Sequence, residues 1–278
     1  MLKKLNEFKE LKKDTSIVSI YYLGQEGVII NLNGLTFCID PYLSDYVDKN
    51  CCSDVIKWNR LYDPTIKGYD LDFVDFFLFT HTHFDHLDPW TVKDILTRNK
   101  TAKFLISKTN ISFLEKYGVD KSRITSLSVN KCISFNDVVI SSYPAKHDVF
   151  HEHNGEFDDL CFSIECNGFK LFHGGDTLDY PELVEHMKNS DICFLPVNGR
   201  DDFRTKNDVI GNLNPFEAFD LAYKSHSKLL IPIHNDLYSI NSASLDEINN
   251  AISKFNKVNY NMLVHDDFIK VDLNKWKK

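Results

Sequence analysis

The sequence predicts an α/β fold, on three observations. Apolar runs of strand length recur along the chain, including VDFFLFT at 74–80, VVISSYPAKHD at 138–148, FKLFHGGDT at 169–177 and KLLIPIHND at 228–236. Helix-start signals separate them: Asp88-Pro89, Asn214-Pro215 and Ser244-Leu245-Asp246-Glu247 each join an N-cap residue to an N1 proline or an N3 glutamate. Strand-rich halves before and after about residue 160 each end in helices, a loose two-fold echo.

In chain order, the opening MLKKLNEFKELKKDTS is charged and carries Leu2, Leu5, Phe8 and Leu11 at three-residue intervals. That pattern predicts a surface-packed helical extension over about residues 1–16, ahead of one domain occupying 1–278. The opening also lacks the apolar stretch of a signal peptide. Val74–Thr80 then reads as a buried strand. It hands over, through Thr80-His81-Thr82-His83-Phe84-Asp85-His86-Leu87-Asp88, to a helix over TVKDILTRN. Three imidazoles and a carboxylate thus fall within six residues on a strand-to-helix loop, where a rigid scaffold meets solvent. Unpaired polar clusters are seldom placed against a core, so the stretch reads as a metal site. His81 and His83 alternate with Thr82, point the same way in an extended chain, and can share one ion. Asp85 and His86 follow where the chain turns and aim at a neighbouring position, which suggests two ions.

Three later runs share this design, each ending in a metal-type residue: His147, Asp176 and His234. Asp176 follows Gly174-Gly175, which let the backbone approach an ion closely. His151 and His153, in the polar loop VFHEHNGEFDD, compete with His147, which is preferred because it stands nearest the strand end. His173 alternates with Phe172 and reads as structural, and His186, His226 and His265 as ordinary helix or surface positions. Imidazole and carboxylate donors suit zinc, and added carboxylates leave manganese or iron open. The helices opened by Asn214-Pro215-Phe216-Glu217 and by Ser244 are scaffold.

These motifs resemble the metallo-β-lactamase superfamily, and within it the L-ascorbate-6-phosphate lactonase-like branch. Leu23-Gly24-Gln25-Glu26-Gly27-Val28 resembles that branch's opening hairpin, and Phe37-Cys38-Ile39-Asp40-Pro41-Tyr42 its short strand end. His81–Asp88, Phe172–Thr177 and Ile231–Asp236 follow in the expected order, so the likeness runs from about Ile17 to Asp267. The resemblance implies an αββα sandwich of two mixed sheets with helices outside. It implies one divalent ion held by His81, His83 and His147, a second held by Asp85, His86 and His234, and Asp176 bridging them. Two such ions lower the pKa of a shared water towards about 7 and polarise a carbonyl or phosphoryl oxygen. Asp85 or Asp176 could then accept a proton, although ligation usually exhausts a carboxylate. The expected activity is that of a metal-dependent, lactonase-like hydrolase acting on a small metabolite such as a phosphorylated sugar lactone. A phosphodiesterase using the same ions is the alternative, and a non-catalytic metal-binding protein the third reading.

Composition fits a metabolic enzyme. With 43% hydrophobic residues in 278, the chain can bury a sizeable core. No stretch approaches the roughly 18–20 apolar residues of a membrane span. A net charge of −8 disfavours a nucleic-acid partner, which needs a basic stripe. The seven cysteines form no CxxC pair, Cys38, Cys161, Cys166 and Cys193 fall in apolar strands, and Cys51-Cys52 are adjacent in a polar loop. That usage suits a reducing cytoplasm, with a homo-oligomer left open. For the substrate, a small anion, Asn198-Gly199-Arg200-Asp201 follows the apolar run DICFLPV. Arg200 and Arg204 there are candidates to clamp a phosphate or carboxylate. Equally, they could form surface salt bridges with Asp201, Asp202 or Asp208. Asn198 and, more weakly, Gln25 complete the candidate substrate contacts.

Overall fold

A computed structural model describes residues 2–276. Strands β1 (Ile17–Gly24), β2 (Gly27–Leu32), β3 (Leu35–Ile39), β4 (Phe76–Leu78), β5 (Lys103–Ser107) and β6 (Ile124–Leu127) run side by side through a first sheet. The second sheet is built from β7 (Lys131–Phe135) and β8 (Val138–Pro144). After a small hairpin, β9 (Glu152–His153) and β10 (Glu156–Phe157), it continues with β11 (Leu160–Cys166), β12 (Phe169–His173), β13 (Ile192–Pro196) and β14 (Leu230–Ile233). The last strand, β15 (Phe268–Asp272), returns to pair antiparallel with β1. Both sheets are mixed: hairpins give antiparallel pairs, and the helical crossovers give the parallel pairs β3–β4–β5–β6 and β12–β13–β14.

Side-chain alternation turns each sheet into a two-faced layer. Ile20, Ile30, Phe37 and Leu78 of the first sheet meet Ile140, Phe162, Leu171 and Phe194 of the second in a central core. On the outer face of the first sheet, Tyr21, Ile29, Phe77 and Phe104 cluster with Leu5 and Phe8 of the helix Leu2–Leu11 and with Val92 and Ile95 of the helix Pro89–Arg98. Outside the second, Cys161, Phe172, Cys193 and Leu230 cluster with Leu183, Met187, Phe219, Ala222 and Ala251, all on helices. The architecture is the expected αββα sandwich. Cys38, Cys161, Cys166 and Cys193 are buried.

Three details depart from the sequence reading. The division between sheets falls between Leu127 and Lys131, not near residue 160, and β15 crosses back to the first sheet. Apolar runs overstate the strands: Val74–Thr80 keeps only Phe76–Leu78 in β4, because Thr80 leaves the ladder and its backbone N–H bonds the Asp40 carboxylate at 2.9 Å. The opening helix ends at Leu11 and is no loose appendage, since Leu5 and Phe8 are fully buried. Leu11 is half-buried, and the side chain of Leu2 lies outside the described residues. The helix-start readings hold, with Asp88 accepting from the Trp90 N–H and capping boxes at Asn214/Glu217 and Ser244/Glu247.

Candidate metal centre

Seven residues from four strand ends meet at one rim of the sandwich. The loop after β4 brings His81, His83, Asp85 and His86; the ends of β8, β12 and β14 bring His147, Asp176 and His234. One ligand atom from each of His81, His83, His147 and Asp176 lies within 4.8 Å of the others, and the same holds for Asp85, His86 and His234. Asp176 faces both groups: its Oδ2 lies 3.3 Å from His147 Nε2, while its Oδ1 lies 3.4 Å from both His86 Nε2 and His234 Nε2. His151 and His153 turn elsewhere, to Asp159 at 2.7 Å and Asp158 at 3.0 Å. His173 is buried: its Nε2 donates to the Glu26 carbonyl at 3.1 Å, and its Nδ1 accepts from the Gly175 N–H.

The donor set fits divalent ions. His81 Nε2, His86 Nε2, His147 Nδ1 and Asp176 Oδ1 are all buried without a hydrogen-bond partner among the described residues. Such atoms are costly unless something coordinates them. Charge balance shows in the titration behaviour. Burial alone would raise Asp176, but the facing His234 and His86 outweigh it and hold the carboxyl well below the ordinary range. Burial, reinforced by His86 and His83, pushes His81 well below ordinary histidine. His86 and His234 rise despite burial, chiefly because Asp176 faces them.

Around the ligands stands a supporting layer that the sequence reading under-weighted. Asp40, fully buried at the end of β3, accepts from His86 Nδ1 at 2.8 Å, from the Thr80 N–H and from the Thr80 hydroxyl. It thereby directs His86 Nε2 at the centre and fixes its tautomer. Its signal was legible: LTFCI followed by Asp40 repeats the design of an apolar strand with a carboxylate at its end. Gln25 Nε2 donates to Asp85 Oδ2 at 2.9 Å and sits against the His234 ring, and the His234 N–H bonds the Gln25 carbonyl at 2.8 Å. Gln25 thus orients ligands, whereas the sequence suggested contact with substrate. Gln25, Asp40 and His234 all adopt positive φ, of 57°, 43° and 59°. For non-glycine residues that conformation persists only where neighbours enforce it. Gly175 also has positive φ, and a Cβ there would come within 2.8 Å of Thr80 Cβ. The glycine therefore serves the packing of β12 against the Thr80 loop rather than approach to an ion. Asp40→Asn should weaken metal binding about 10–100-fold, because an amide cannot both accept from Thr80 and orient His86; metal titration of the chelated protein checks this.

The two arginines do not reach the centre. Arg200 makes a two-pronged pair with Glu217, both contacts 2.7 Å. Arg204 is buried, pairs with Asp201 at 2.6 Å, and donates to the Asn198 carbonyl and Asn241 Oδ1. Asn198 is itself fully buried and donates to Asn241. Both guanidiniums thus stand in salt bridges, the arrangement the sequence left open beside the clamp, Arg200 with Glu217 and Arg204 with Asp201. Arg204→Ala should cost about 1–3 kcal/mol of stability, since it orphans buried acceptors, with metal content unchanged; chemical denaturation measures it.

A cavity of about 350 Å³ opens over the centre, bordered by His83, Asp85, Asp176 and His234. Val47, Cys51, Ile56, Trp58, Phe84, Val209 and Ile210 line it together with Ser53, Asn207, Asp208 and Asn241, and among the described residues no lysine or arginine does. The wall that carries Trp58 is braced by Tyr238, whose hydroxyl bonds Tyr42 and Asp48, each at 2.7 Å.

Fold and site together define the metallo-β-lactamase architecture. The chain belongs to the beta-lactamase superfamily, whose domain model matches residues 37–235. It is 25% identical over 234 residues to an uncharacterised protein of Mycobacterium tuberculosis, covering 80% of this chain but only 59% of that relative's length. It is 24% identical to a metal-dependent hydrolase of Exiguobacterium, covering 80% of this chain and 87% of the relative. With the N-acyl-phosphatidylethanolamine-hydrolyzing phospholipase D 1 of Caenorhabditis elegans it shares 23% identity, covering 78% and 63%. A solved metallo hydrolase from Ignicoccus hospitalis superposes with a TM-score of 0.67 at 17% identity over 92% of this chain and 98% of that one. Among the described residues, no helix is long and apolar enough to cross a membrane.

Proposed function

We propose that this protein is a metal-dependent hydrolase that opens a lactone or ester in a small, largely apolar molecule. The observation that carries the reading is the seven-residue candidate ligand set at the floor of a cavity whose walls are largely apolar and, among the described residues, hold no lysine or arginine. The ligands His81, His83, His147 and Asp176 would hold one ion, and Asp85, His86, His234 and Asp176 the other. Those ions would supply a nucleophilic water and Lewis acidity. The chain's own residues supply position and exclusion: Asp40 and Gln25 fix ligand orientation, while Ile56, Trp58 and Val209 shed water from the apolar part of the substrate. Asp85 keeps 19% of its side chain exposed where it borders the cavity, against 4% for Asp176. Of the two carboxylates, we take Asp85 as the candidate to accept a proton from an attacking water, on its greater exposure to the cavity.

The expected anionic substrate loses its motivation, because both arginines are spent on acidic partners outside the cavity wall. That disfavours the sugar-phosphate lactone of the resembled branch. A phosphodiester with an apolar group is the second reading, supported by the name of the Caenorhabditis elegans relative and by the same apolar walls. Metal-loaded protein assayed against aliphatic lactones, aryl esters of increasing acyl length and diaryl phosphates separates them. We expect chelator-sensitive turnover of lactones or esters that improves with acyl length. Turnover confined to diaryl phosphates selects the second reading, and turnover confined to phosphorylated sugars overturns both. Trp58→Ala should raise KM about tenfold with little change in kcat, the loss expected on removing much of one apolar wall.

A further inference from the structure

The hairpin between β1 and β2 places a carboxylate that nothing so far has used. Glu26 is fully buried, and neither of its carboxylate oxygens has a hydrogen-bond partner among the described residues. His173 Nε2 lies 3.7 Å from Oε2 but already donates to the Glu26 backbone carbonyl at 3.1 Å. Burying a carboxylate away from water without hydrogen bonds is expensive, and proteins accept it where a cation compensates.

The direction of the side chain says where that cation belongs. Glu26, Asp176 and His234 each offer a ligand atom, all within 4.8 Å of one another. Asp176 Oδ1 lies 3.4 Å from both His86 Nε2 and His234 Nε2, and His234 Nε2 lies 3.5 Å from Asp85 Oδ2. The hairpin tip is pinned, so Glu26 cannot easily swing away. The Gln25 N–H bonds Asp236 at 3.0 Å, the Gln25 carbonyl accepts from His234 N–H and the Tyr22 hydroxyl, and Gly27 has no room for a Cβ, which would meet Leu23 at 2.9 Å.

We propose that Glu26 is a further ligand of the ion held by Asp85, His86, His234 and Asp176. The inference rests on the two-ion reading of the site. It makes the two positions chemically unequal. One draws three imidazoles and one carboxylate, from His81, His83, His147 and Asp176. The other draws two imidazoles and three carboxylates, from His86, His234, Asp85, Asp176 and Glu26. Four nitrogen-rich donors suit zinc, while five donors dominated by carboxylate oxygen suit a harder ion such as manganese. The protein would therefore discriminate between metals site by site.

The test is stepwise titration of chelated full-length protein with Mn²⁺ and, separately, Zn²⁺, comparing wild type with Glu26→Gln and following the spin-coupled Mn²⁺ resonance spectrum. The expected result is two Mn²⁺ in wild type. The variant should lose about 10–100-fold in affinity for the second Mn²⁺ only, with loss of the coupled spectrum and a smaller change for Zn²⁺. Equal binding of both ions by wild type and variant overturns the proposal and returns Glu26 to a neutral buried acid. Should Glu26→Gln fail to fold, a crystal structure of Mn²⁺-loaded wild type decides. A Glu26 oxygen about 2.0–2.2 Å from the second ion supports the assignment, and a carboxyl beyond coordination distance refutes it. Binding of no ion at all would sink the two-ion reading itself, whereas two bound ions with Glu26 uncoordinated sink only this inference.

Discussion

Replacing Asp176 by alanine should reduce bound metal from about two ions per chain to one or fewer, and should lower any hydrolytic turnover by more than the 10–100-fold typical of supporting residues. Asp176 faces both halves of the centre: Oδ2 addresses His147, and Oδ1 addresses His86 and His234. Without the bridge, one half keeps His81, His83 and His147, and the other Asp85, His86 and His234, with Glu26 beside them. The folded state should survive, because relieving a buried carboxylate removes a charge whose only partners are the ligand histidines. Elemental analysis of the purified variant, alongside circular dichroism, distinguishes loss of metal from loss of fold. His173→Ala serves as the comparison, since that ring only links Glu26 and Gly175. Unchanged metal content in Asp176→Ala would overturn the two-ion reading.

Phe8→Ala should destabilise the protein by about 3–5 kcal/mol, the usual cost of emptying a large aromatic site in a core. Phe8 is fully buried, with its ring 5.5 Å from Tyr21, 6.5 Å from Phe73 and 6.2 Å from Phe268. Its carbonyl also accepts from Asn31 at 3.0 Å, so the helix is bonded to β2 as well as packed on it. Urea unfolding should show a lower midpoint with an unchanged slope. A loss under 1 kcal/mol would return the opening helix to the status of a surface extension.

The clustering of the candidate metal residues was legible because each sits at the end of an apolar strand, where the scaffold delivers a side chain to one rim whatever the loop that follows. The helix starts were legible for a related reason, since Asp88-Pro89 and Asn214-Pro215 act through bonds within four residues. The arginines were not. Arg200 and Arg204 stand on a suitable strand-end loop, yet their partners include Glu217 and Asn241, which only folding brings near. Gln25 was placed on the right rim with the wrong contact, because nothing local in LGQEGV shows that its amide meets Asp85, sixty residues on.

By itself, the sequence determined the alternation of strand and helix, the seven ligand-type residues and their grouping after His81, because these follow from side-chain period and local capping. Tertiary structure alone decided which carboxylates are isolated from water, and so made Asp40 a histidine's partner and Glu26 an unpartnered acid at the centre. It alone decided that residues 47–58 and 207–210, featureless as sequence, close an apolar cavity over the ligands. The reason is physical: desolvation and cross-chain contact depend on what lies within a few ångströms in space, and chain order does not encode that distance.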